Sequence, residues 1–405
     1  MASQTCARPQ YHQFLASSEL GGGAQVALDL AKFLSTQGRE APVWIPGTGL
    51  SWSHAEQSGL PVQGFDLISA MSASRLRAAR VNWQVWSRVR GSGRGLVHVH
   101  SPVVYGGLRR GLGYSGLKQV VHVQVEQDEE GLRWALRWPP ELIITCARFL
   151  VDLVRRALPE RCRERQRIVA VPNAVDTAKF APGDKAEAKR KVGAPPGIPL
   201  ALMLANLAPH KGQETVIRAA AILKGRGVHT DFWLAGIERG GPGACTARLH
   251  ALIREAGVAD RVRLLGQRTD APDLLRAADF FLLPSTCEGL PLSILEAQAT
   301  KVPVLAAPTS GIPEAVWDRT TGFLIPADDA EGYARRVEQL LANPALSDRV
   351  TEAAFLHTTR EYSWSAFCGR IAGLYEELLE GGAPPARASR YPINANRPAP
   401  CPSVN

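Results

Sequence analysis

The chain is 405 residues long, which favours two or three domains over a single one. Hydrophobic residues make up 45% of it and charged residues 21%, the proportions of a globular protein with an ample core, and the formal net charge is +9. Because no run of eighteen apolar residues occurs, the sequence predicts no membrane-spanning helix.

The N-terminal residues and the cysteines indicate a cytoplasmic protein. Residues 1–13 lack the apolar core of an export signal. The cysteines, 7 in number, are scattered and form no Cys-x-x-Cys pair, so the sequence indicates neither a disulfide framework nor a cysteine zinc site. We therefore expect a reducing compartment.

Apolar strand-like runs alternate along the chain with amphipathic helical runs, a pattern that predicts an α/β fold with parallel sheets. The first helix is predicted after Gly21-Gly22-Gly23, where apolar residues recur at helical spacing until Gly38, a helix C-terminal signal. The predicted strands are 41–45, 96–100, 119–123, 142–145 and 168–171 in the first half, and 200–204, 231–235, 262–265, 280–283, 304–306 and 322–325 in the second.

A basic interval lies between Asp66 and Glu126, where no acidic residue occurs. Within it, apolar and aromatic residues recur at helical spacing among arginines, which is typical of a helix lying on a membrane surface. The alternative is a helix whose aromatic stripe packs on its own domain, with solvated arginines. A surface of one sign would attract an anionic partner. The candidate membrane-surface residues are Arg75, Arg77, Arg80, Trp83 and Trp86.

His98 and His100 share one face of a predicted strand because side chains alternate along strands. Two histidines could hold a metal ion, but no carboxylate or third ligand lies nearby in the sequence. We therefore expect no metal site here.

The chain divides, by its proline and glycine content, around a predicted interdomain linker at 181–199. Domains are predicted at 1–180 and 200–356, followed by a helical segment at 357–380. The tail, 381–405, is rich in proline, alanine, arginine and asparagine without apolar periodicity, which predicts disorder.

Glu288 and Glu296 lie where a predicted strand gives way to a helix. Glu288 falls in the loop at the strand's carboxyl end, where open parallel sheets bind ligands, and Glu296 lies about two helical turns further on. Carboxylates accept hydrogen bonds from hydroxyls, and a helix N-terminus attracts phosphate. The pair therefore suits a polyhydroxylated ligand that carries phosphate, the alternative being two solvated glutamates.

Lys211 follows another predicted strand and precedes Gly212 and a long helical run. A lysine at such a position can reach a diphosphate as a point charge. A solvated loop lysine is the alternative, but groups that converge define a site, so we expect phosphate binding.

The stretch from Glu288 to Phe323 resembles the donor-site signature of the retaining glycosyltransferases of family 4, in which two glutamates are also separated by seven residues. The resemblance implies the GT-B fold, with two Rossmann-like domains whose parallel sheets face each other across a central cleft. It implies that the last helical segment crosses back to the first domain. Further resembling segments are 19–24, 171–176, 204–212, 264–267, 303–307, 310–316, 321–326 and 362–364.

The resemblance also implies roles for single residues. Glu296 would hold the ribose, Lys211 the diphosphate, and Glu288 hydroxyls of the transferred sugar, while Gln267 and Arg268 would border the base. His100 and Gln124 would lie near the reacting groups as further catalytic candidates, together with Glu288. The other implied donor contacts are Gly21, Gly22, Gly23, Asn206, Gly289, Leu290, Pro291 and Leu292.

Two positions depart from the family pattern. Asn206 stands where an arginine usually accompanies the lysine, and Arg239 is a possible substitute. Gln124 stands where a histidine is usual; a glutamine can donate a hydrogen bond but cannot act as a base. Retaining transfer needs no protein base if the leaving phosphate takes the acceptor's proton.

The resemblance therefore implies transfer of a sugar from a nucleotide-sugar donor to a glycan, lipid-linked or other small acceptor, with retention, as in polysaccharide or lipopolysaccharide biosynthesis. We expect no metal or other cofactor, because no Asp-x-Asp occurs, and a cytoplasmic protein that can lie at the inner face of the membrane. Alternatives are a sugar-nucleotide epimerase or phosphorylase of the same fold, a catalytically impaired family member, and a non-enzymatic binder of anionic polymers. No nucleic-acid recognition motif occurs, so we expect no nucleic-acid partner.

Overall fold

A computed structural model describes residues 9–67, 74–124, 128–238 and 243–381. These residues form two compact units, the first made of 9–173 and 367–381 and the second of 174–366. Of the predicted tail, only Gly381 lies within the described part.

The first unit is built on a parallel sheet of seven strands in the order β3-β2-β1-β4-β5-β6-β7. The central strands are buried on both faces, as parallel sheets covered by helices are. The strands are β1 (Gln10–Phe14), β2 (Val43–Pro46), β3 (Val62–Phe65), β4 (Gly95–Val99), β5 (Lys118–Val123), β6 (Leu142–Thr145) and β7 (Ile168–Ala170). The helices are α1 (Gly22–Thr36), α2 (Leu50–Gln57), α3 (Arg75–Val89), a 3-10 turn (Arg90–Ser92), α4 (Pro102–Gly113), α5 (Glu129–Ala135), α6 (Phe149–Ala157) and α7 (Glu160–Arg163).

The second unit has a parallel sheet of six strands in the order β10-β9-β8-β11-β12-β13. Its strands are β8 (Leu200–Leu204), β9 (Asp231–Ala235), β10 (Val262–Gly266), β11 (Phe280–Leu283), β12 (Val304–Ala306) and β13 (Phe323–Leu324). Its helices are α8 (Lys185–Val192), a 3-10 turn (Pro209–Lys211), α9 (Gln213–Gly225), α10 (Ala244–Glu255), α11 (Ala271–Ala277), α12 (Leu292–Ala299), α13 (Ile312–Ala315), α14 (Ala330–Ala342) and α15 (Pro344–Glu361).

The last helix, α16 (Trp364–Glu380), begins in the second unit, and its residues from Phe367 onward belong to the first. Ion pairs of Glu376 with Arg39 and of Glu377 with Arg167 hold it there. No helix of the described ranges is both long and apolar enough to cross a membrane.

Every predicted strand coincides with an observed one, but the sequence reasoning missed β1 and β3. Strand β1 escaped because its centre carries the polar residues His12 and Gln13, which are nevertheless buried. His12 is paired with Ser92 Oγ at 2.8 Å and accepts a hydrogen bond from Trp44 Nε1 at 3.1 Å, so its burial leaves neither ring nitrogen unsatisfied.

The segment 181–199, predicted as a linker, contains α8 and is fastened to the second unit. Asp184 caps α8 by accepting from the Glu187 backbone N–H. Lys185 and Lys189 both donate to the Asp279 carboxylate, each at 2.8 Å.

Candidate functional site

Two loops at the carboxyl ends of neighbouring strands β8 and β11 are joined by hydrogen bonds to one carbonyl. The His210 carbonyl accepts from the Thr286 backbone N–H at 2.8 Å and from Ser285 Oγ at 3.0 Å. Because β8 and β11 are parallel neighbours, both loops leave the sheet at the same edge. This junction fixes the position of the residues that follow His210.

Gly212 shows how closely the two loops approach. Its φ is +80°, a conformation that L side chains rarely adopt, and a Cβ built on it would lie 2.1 Å from the Pro284 carbonyl oxygen. Only glycine fits such a backbone contact. Gly212 therefore allows the residue before it, Lys211, to stand against the loop after β11.

Lys211 and Glu288 meet at this junction. Lys211 Nζ donates to Glu288 Oε1 at 2.7 Å, and the two side chains are only 18% and 10% exposed. Charges so little exposed to water need a partner of opposite charge. Here the Lys211 ammonium and the Glu288 carboxylate neutralise each other. The predicted convergence of the ammonium with a carboxylate is thus present within the second unit.

Helix α12 follows directly after Glu288. Gly289, Leu290 and Pro291 are buried, and Pro291 is the N-cap residue of the helix. A proline side chain cannot accept a hydrogen bond, so the first turn of α12 receives no side-chain cap from it. An N-terminus of this kind suits an anion.

Glu296 lies on α12, one turn beyond the first helical residue, Leu292. It is half-buried, and burial raises the pKa of its carboxyl to about 7, against an opposing effect of the Lys179 ammonium. Near neutral pH this carboxyl therefore exists in both protonation states. The sequence reasoning missed Lys179, which no motif singled out.

The remaining second-unit candidates make hydrogen bonds with other residues or are exposed. Gln267 and Arg268 are exposed after β10, and Arg268 Nε donates to Asp270 Oδ1 at 2.8 Å. Asn206 is half-buried, with its carbonyl accepting from Gln213 Nε2 at 2.8 Å. Arg239, considered as a substitute cation, lies outside the described residues.

The first-unit candidates form a cluster of their own. Gly21 is the N-cap of α1 and Gly22 its first residue, while a Cβ on Gly23 would lie 2.3 Å from Gln124 Oε1. Gln124 Nε2 lies 3.0 Å from His100 Nδ1, and His100 Nε2 lies 2.9 Å from Gln13 Oε1. The first turn of α1 thus packs on the carboxyl end of β5, as the glycine-rich segment permits.

His100 does not stand alone on its strand, because His98 and His122 surround it. The ring centroids of His98 and His100 are 4.0 Å apart, and His122 lies within 5.7 Å of both. Burial lowers the pKa of all three imidazoles, that of His122 to about 3, and the two other imidazoles also disfavour the charged form of His98. All three rings are therefore neutral at pH 7.

Comparison with known proteins agrees with this geometry. Residues 184–357 match the model of the family described as glycosyl transferases group 1, and this segment includes Lys211, Glu288 and Glu296. The matched segment, which makes up less than half of the chain, is therefore similar to the glycosyl transferases group 1 family.

Among curated relatives, the chain is 36% identical over 231 residues to D-inositol 3-phosphate glycosyltransferase 2 of Catenulispora acidiphila, covering 56% of this chain and 53% of the relative. It is also 36% identical over 245 residues to the D-inositol 3-phosphate glycosyltransferase of Acidothermus cellulolyticus, covering 58% and 52%. The matches span about half the length of these relatives.

Among solved structures, Anabaena HepE in complex with UDP-glucose aligns with a TM-score of 0.79 and 20% identity, covering 91% of this chain and 99% of that one. Sucrose-phosphate synthase of Thermosynechococcus elongatus aligns with a TM-score of 0.75 and 18% identity, covering 92% and 100%. These likenesses show the fold and confirm the prediction of a GT-B chain with two parallel α/β units.

The close contact at Gly212 predicts a specific loss of stability. Gly212→Ala adds a strained φ and a collision with backbone, so we expect it to lower the free energy of unfolding by more than about 2 kcal/mol. The matched control is Gly227→Ala, at φ +74° with nothing within 4 Å, where about 1 kcal/mol is expected. Calorimetric unfolding measures both variants, and equal losses would contradict the close approach.

The raised pKa of the Glu296 carboxyl makes the stability of the protein depend on pH. Below pH 4.5, its ordinary pKa, it is protonated in both the folded and the unfolded chain. As the pH rises to about 7, only the unfolded chain releases this proton, so the free energy of unfolding falls by at most about 3 kcal/mol.

Glu296→Gln removes this ionisation while keeping the side chain's shape. We expect it to raise the melting temperature at about pH 8 and to leave it unchanged near pH 4. The exposed Glu255→Gln is the control and should show no such difference. A Glu296→Gln effect of the same size at both pH values would refute the raised pKa.

Proposed function

We propose that the protein transfers a sugar from a nucleotide-sugar donor to a hydroxylated acceptor, with retention at the anomeric carbon. The observation that carries this proposal is the contact of Lys211 with Glu288 beside the N-terminus of α12, inside the segment that matches the family. A cation, a carboxylate and a helix N-terminus together suit a sugar joined to a diphosphate.

Donor binding would exchange the partners of the ion pair. The diphosphate takes the Lys211 ammonium and the amides at the start of α12, from Gly289 to Leu292. Glu288, released from the lysine, then accepts hydrogen bonds from hydroxyls of the transferred sugar. The same groups stabilise the charge that develops on the departing diphosphate.

Glu296 would hold the ribose diol of the donor. Hydroxyls that donate to a carboxylate favour its ionised form and lower its pKa. Because the pKa of this carboxyl is about 7 without a ligand, binding near neutral pH would release a proton. Gln267 and Arg268, both exposed at the end of β10, would border the base.

The first unit would supply the acceptor side through Gly21, Gly22, Gly23, His100 and Gln124. The His100 ring is neutral and engaged at both nitrogens, so it positions groups more readily than it accepts a proton. We propose that the leaving phosphate takes the acceptor's proton. Transfer would then need no protein base and no divalent cation on the diphosphate.

UDP-glucose is the first donor to test, because HepE, which shares the fold, was solved with it. D-inositol 3-phosphate belongs in the acceptor panel, because the curated relatives are named for it. Release of free UDP only when an acceptor is present would distinguish a transferase from an epimerase or a phosphorylase. Donor binding without turnover on any acceptor would identify an impaired family member.

Glu288→Ala tests the catalytic assignment. We expect transfer to fall by about 100-fold or more, because a contact with the reacting sugar is lost, while the fold persists. The measurements are UDP release with acceptor and the melting temperature of each variant. Glu338→Ala, which removes a carboxylate paired with Arg226 at 2.9 Å, is the matched control. Unchanged turnover of Glu288→Ala would reject the role of Glu288.

A second part of the proposal concerns where the enzyme works. Helix α3 buries Val81, Asn82, Val85 and Val89 but turns Trp83 outward, 63% exposed. Leu76, on the same helix, is 85% exposed. The two tryptophans of the predicted apolar stripe therefore differ in exposure. Trp86, unlike Trp83, is half-buried, and its Nε1 donates to the Tyr114 carbonyl at 3.1 Å.

The outward face of α3 combines these apolar side chains with exposed Arg75, Arg77 and Arg80. Tyr114, next to Trp86, is itself 82% exposed. Basic and apolar groups on one helical face suit an anionic lipid surface, and we propose that this face docks the protein on the inner face of the membrane.

Charge reversal tests this membrane surface. The triple variant Arg75→Glu, Arg77→Glu, Arg80→Glu should bind anionic phosphatidylglycerol vesicles at least about 100-fold more weakly, at about 1 kcal/mol per basic residue. Vesicle co-sedimentation at low and high salt measures this. The control, with the same charge change, is Arg254→Glu, Arg335→Glu, Arg349→Glu on exposed positions of the second unit. Equal vesicle binding by both triple variants would exclude α3 as the membrane-binding surface.

A further inference from the structure

Three buried histidines lie on one face of the first unit's sheet. His98 and His100 come from β4 and its carboxyl end, and His122 from β5, with Val99 in register with Val121. Register therefore places His100 beside His122. The three side chains are at most 5% exposed. The site lies within the first unit. It shares His100 and Gln124 with the proposed acceptor side, but metal binding is measured without any sugar transfer.

The separation of the ring nitrogens suits a metal ion. One nitrogen from each of His98, His100 and His122 can be chosen so that all three lie within 4.8 Å of one another. Tetrahedral Zn²⁺, with bonds of about 2.0–2.1 Å to histidine, holds its nitrogens about 3.4 Å apart. Side-chain adjustments of about an ångström would close this difference.

The opposite nitrogens are already held in place. His98 Nδ1 is 2.5 Å from Tyr375 Oη on α16, and His100 Nε2 is 2.9 Å from Gln13 Oε1 on β1. Outer hydrogen bonds of this kind fix the tautomer and the orientation of metal-binding imidazoles. If His98 Nδ1–H donates to Tyr375 Oη, His98 Nε2 is able to bind a cation. His100 Nδ1 becomes able to do so once the Gln124 amide nitrogen turns away from it.

Three buried polar atoms in this cluster have no hydrogen-bond partner among the described residues. They are His98 Nε2, His122 Nε2 and Gln124 Oε1. An unsatisfied buried polar group is costly, and several in one cluster indicate a missing common partner. His100 Nδ1 faces the Gln124 amide nitrogen at 3.0 Å, and a half-turn of that amide would turn its oxygen toward the imidazoles.

We infer that the first unit binds one zinc-class divalent ion through His98 Nε2, His100 Nδ1 and His122 Nε2, with Gln124 Oε1 or a water as the fourth ligand. Neutral imidazoles favour Zn²⁺ and its neighbours Co²⁺ and Ni²⁺ over Mg²⁺, which prefers oxygen ligands. The ion joins the ends of β4 and β5 beneath α16, so it stabilises the first unit. It is distinct from any cation on a donor diphosphate.

The test uses the untagged full chain, stripped of metal with a chelator and titrated with Co²⁺ and Zn²⁺. We expect one Co²⁺ per chain with the visible absorption of a tetrahedral site, its displacement by Zn²⁺, and a higher melting temperature with Zn²⁺ than with Mg²⁺. A Co²⁺ spectrum no different from that of the hydrated ion would overturn the inference, whatever the variants do.

His122→Gln should weaken Co²⁺ binding by at least about 100-fold, because loss of an outer-shell partner of a ligand alone costs about 10–100-fold. It should also abolish the zinc-dependent rise in melting temperature. The matched control is His250→Gln, an exposed histidine on α10, which should titrate like the unaltered chain. Circular dichroism of the metal-free variants establishes that both are folded. Equal Co²⁺ affinity in the two variants would contradict the assignment, and a misfolded His122→Gln leaves the decision to the spectrum of the unaltered chain.

Discussion

The candidate donor site depends on one junction, the hydrogen bonds that Thr286 and Ser285 donate to the His210 carbonyl. Because Gly212 lets the backbone approach Pro284, the loops after β8 and β11 stay in contact without an intervening side chain. Lys211 and Glu288 then face each other at 2.7 Å. Two nearly buried charges remain tolerable only because the junction holds them together. The geometry of the candidate site in the second unit therefore depends on backbone packing as much as on the charged residues themselves.

Much of this arrangement could be predicted from the sequence. Lys211 and Glu288 each follow a predicted strand, and open parallel sheets bind ligands at the carboxyl ends of their strands, so both were expected at one site. Their side chains lie 2.7 Å apart. Apolar runs predicted the central strands correctly, because strands buried on both faces are apolar along their length. Strand β1 was missed because His12 and Gln13 are buried polar residues, and only their partners make that burial possible.

Other features depend on contacts that no local pattern encodes. The effect of Lys179 on Glu296 joins residues far apart in the chain, as does the approach of Gly23 to Gln124. His122 became a neighbour of His100 only through the register of β4 and β5. For α3, helical spacing predicted an apolar stripe but not its direction, and the valines at 81, 85 and 89 occupy the buried face in place of Trp83.

The mutual neutralisation of Lys211 and Glu288 has a consequence for selectivity. A simple anion that binds the Lys211 ammonium leaves the nearly buried Glu288 carboxylate without a partner. A neutral sugar alone does not break the ion pair, because it offers the lysine no negative charge. Only a molecule that places a phosphate on the lysine and a hydroxylated sugar on Glu288 compensates both partners. On the proposed mechanism, the spent nucleotide has lost that sugar. Glu288 then competes for the lysine again, which helps to expel the product and readies the enzyme for another turnover.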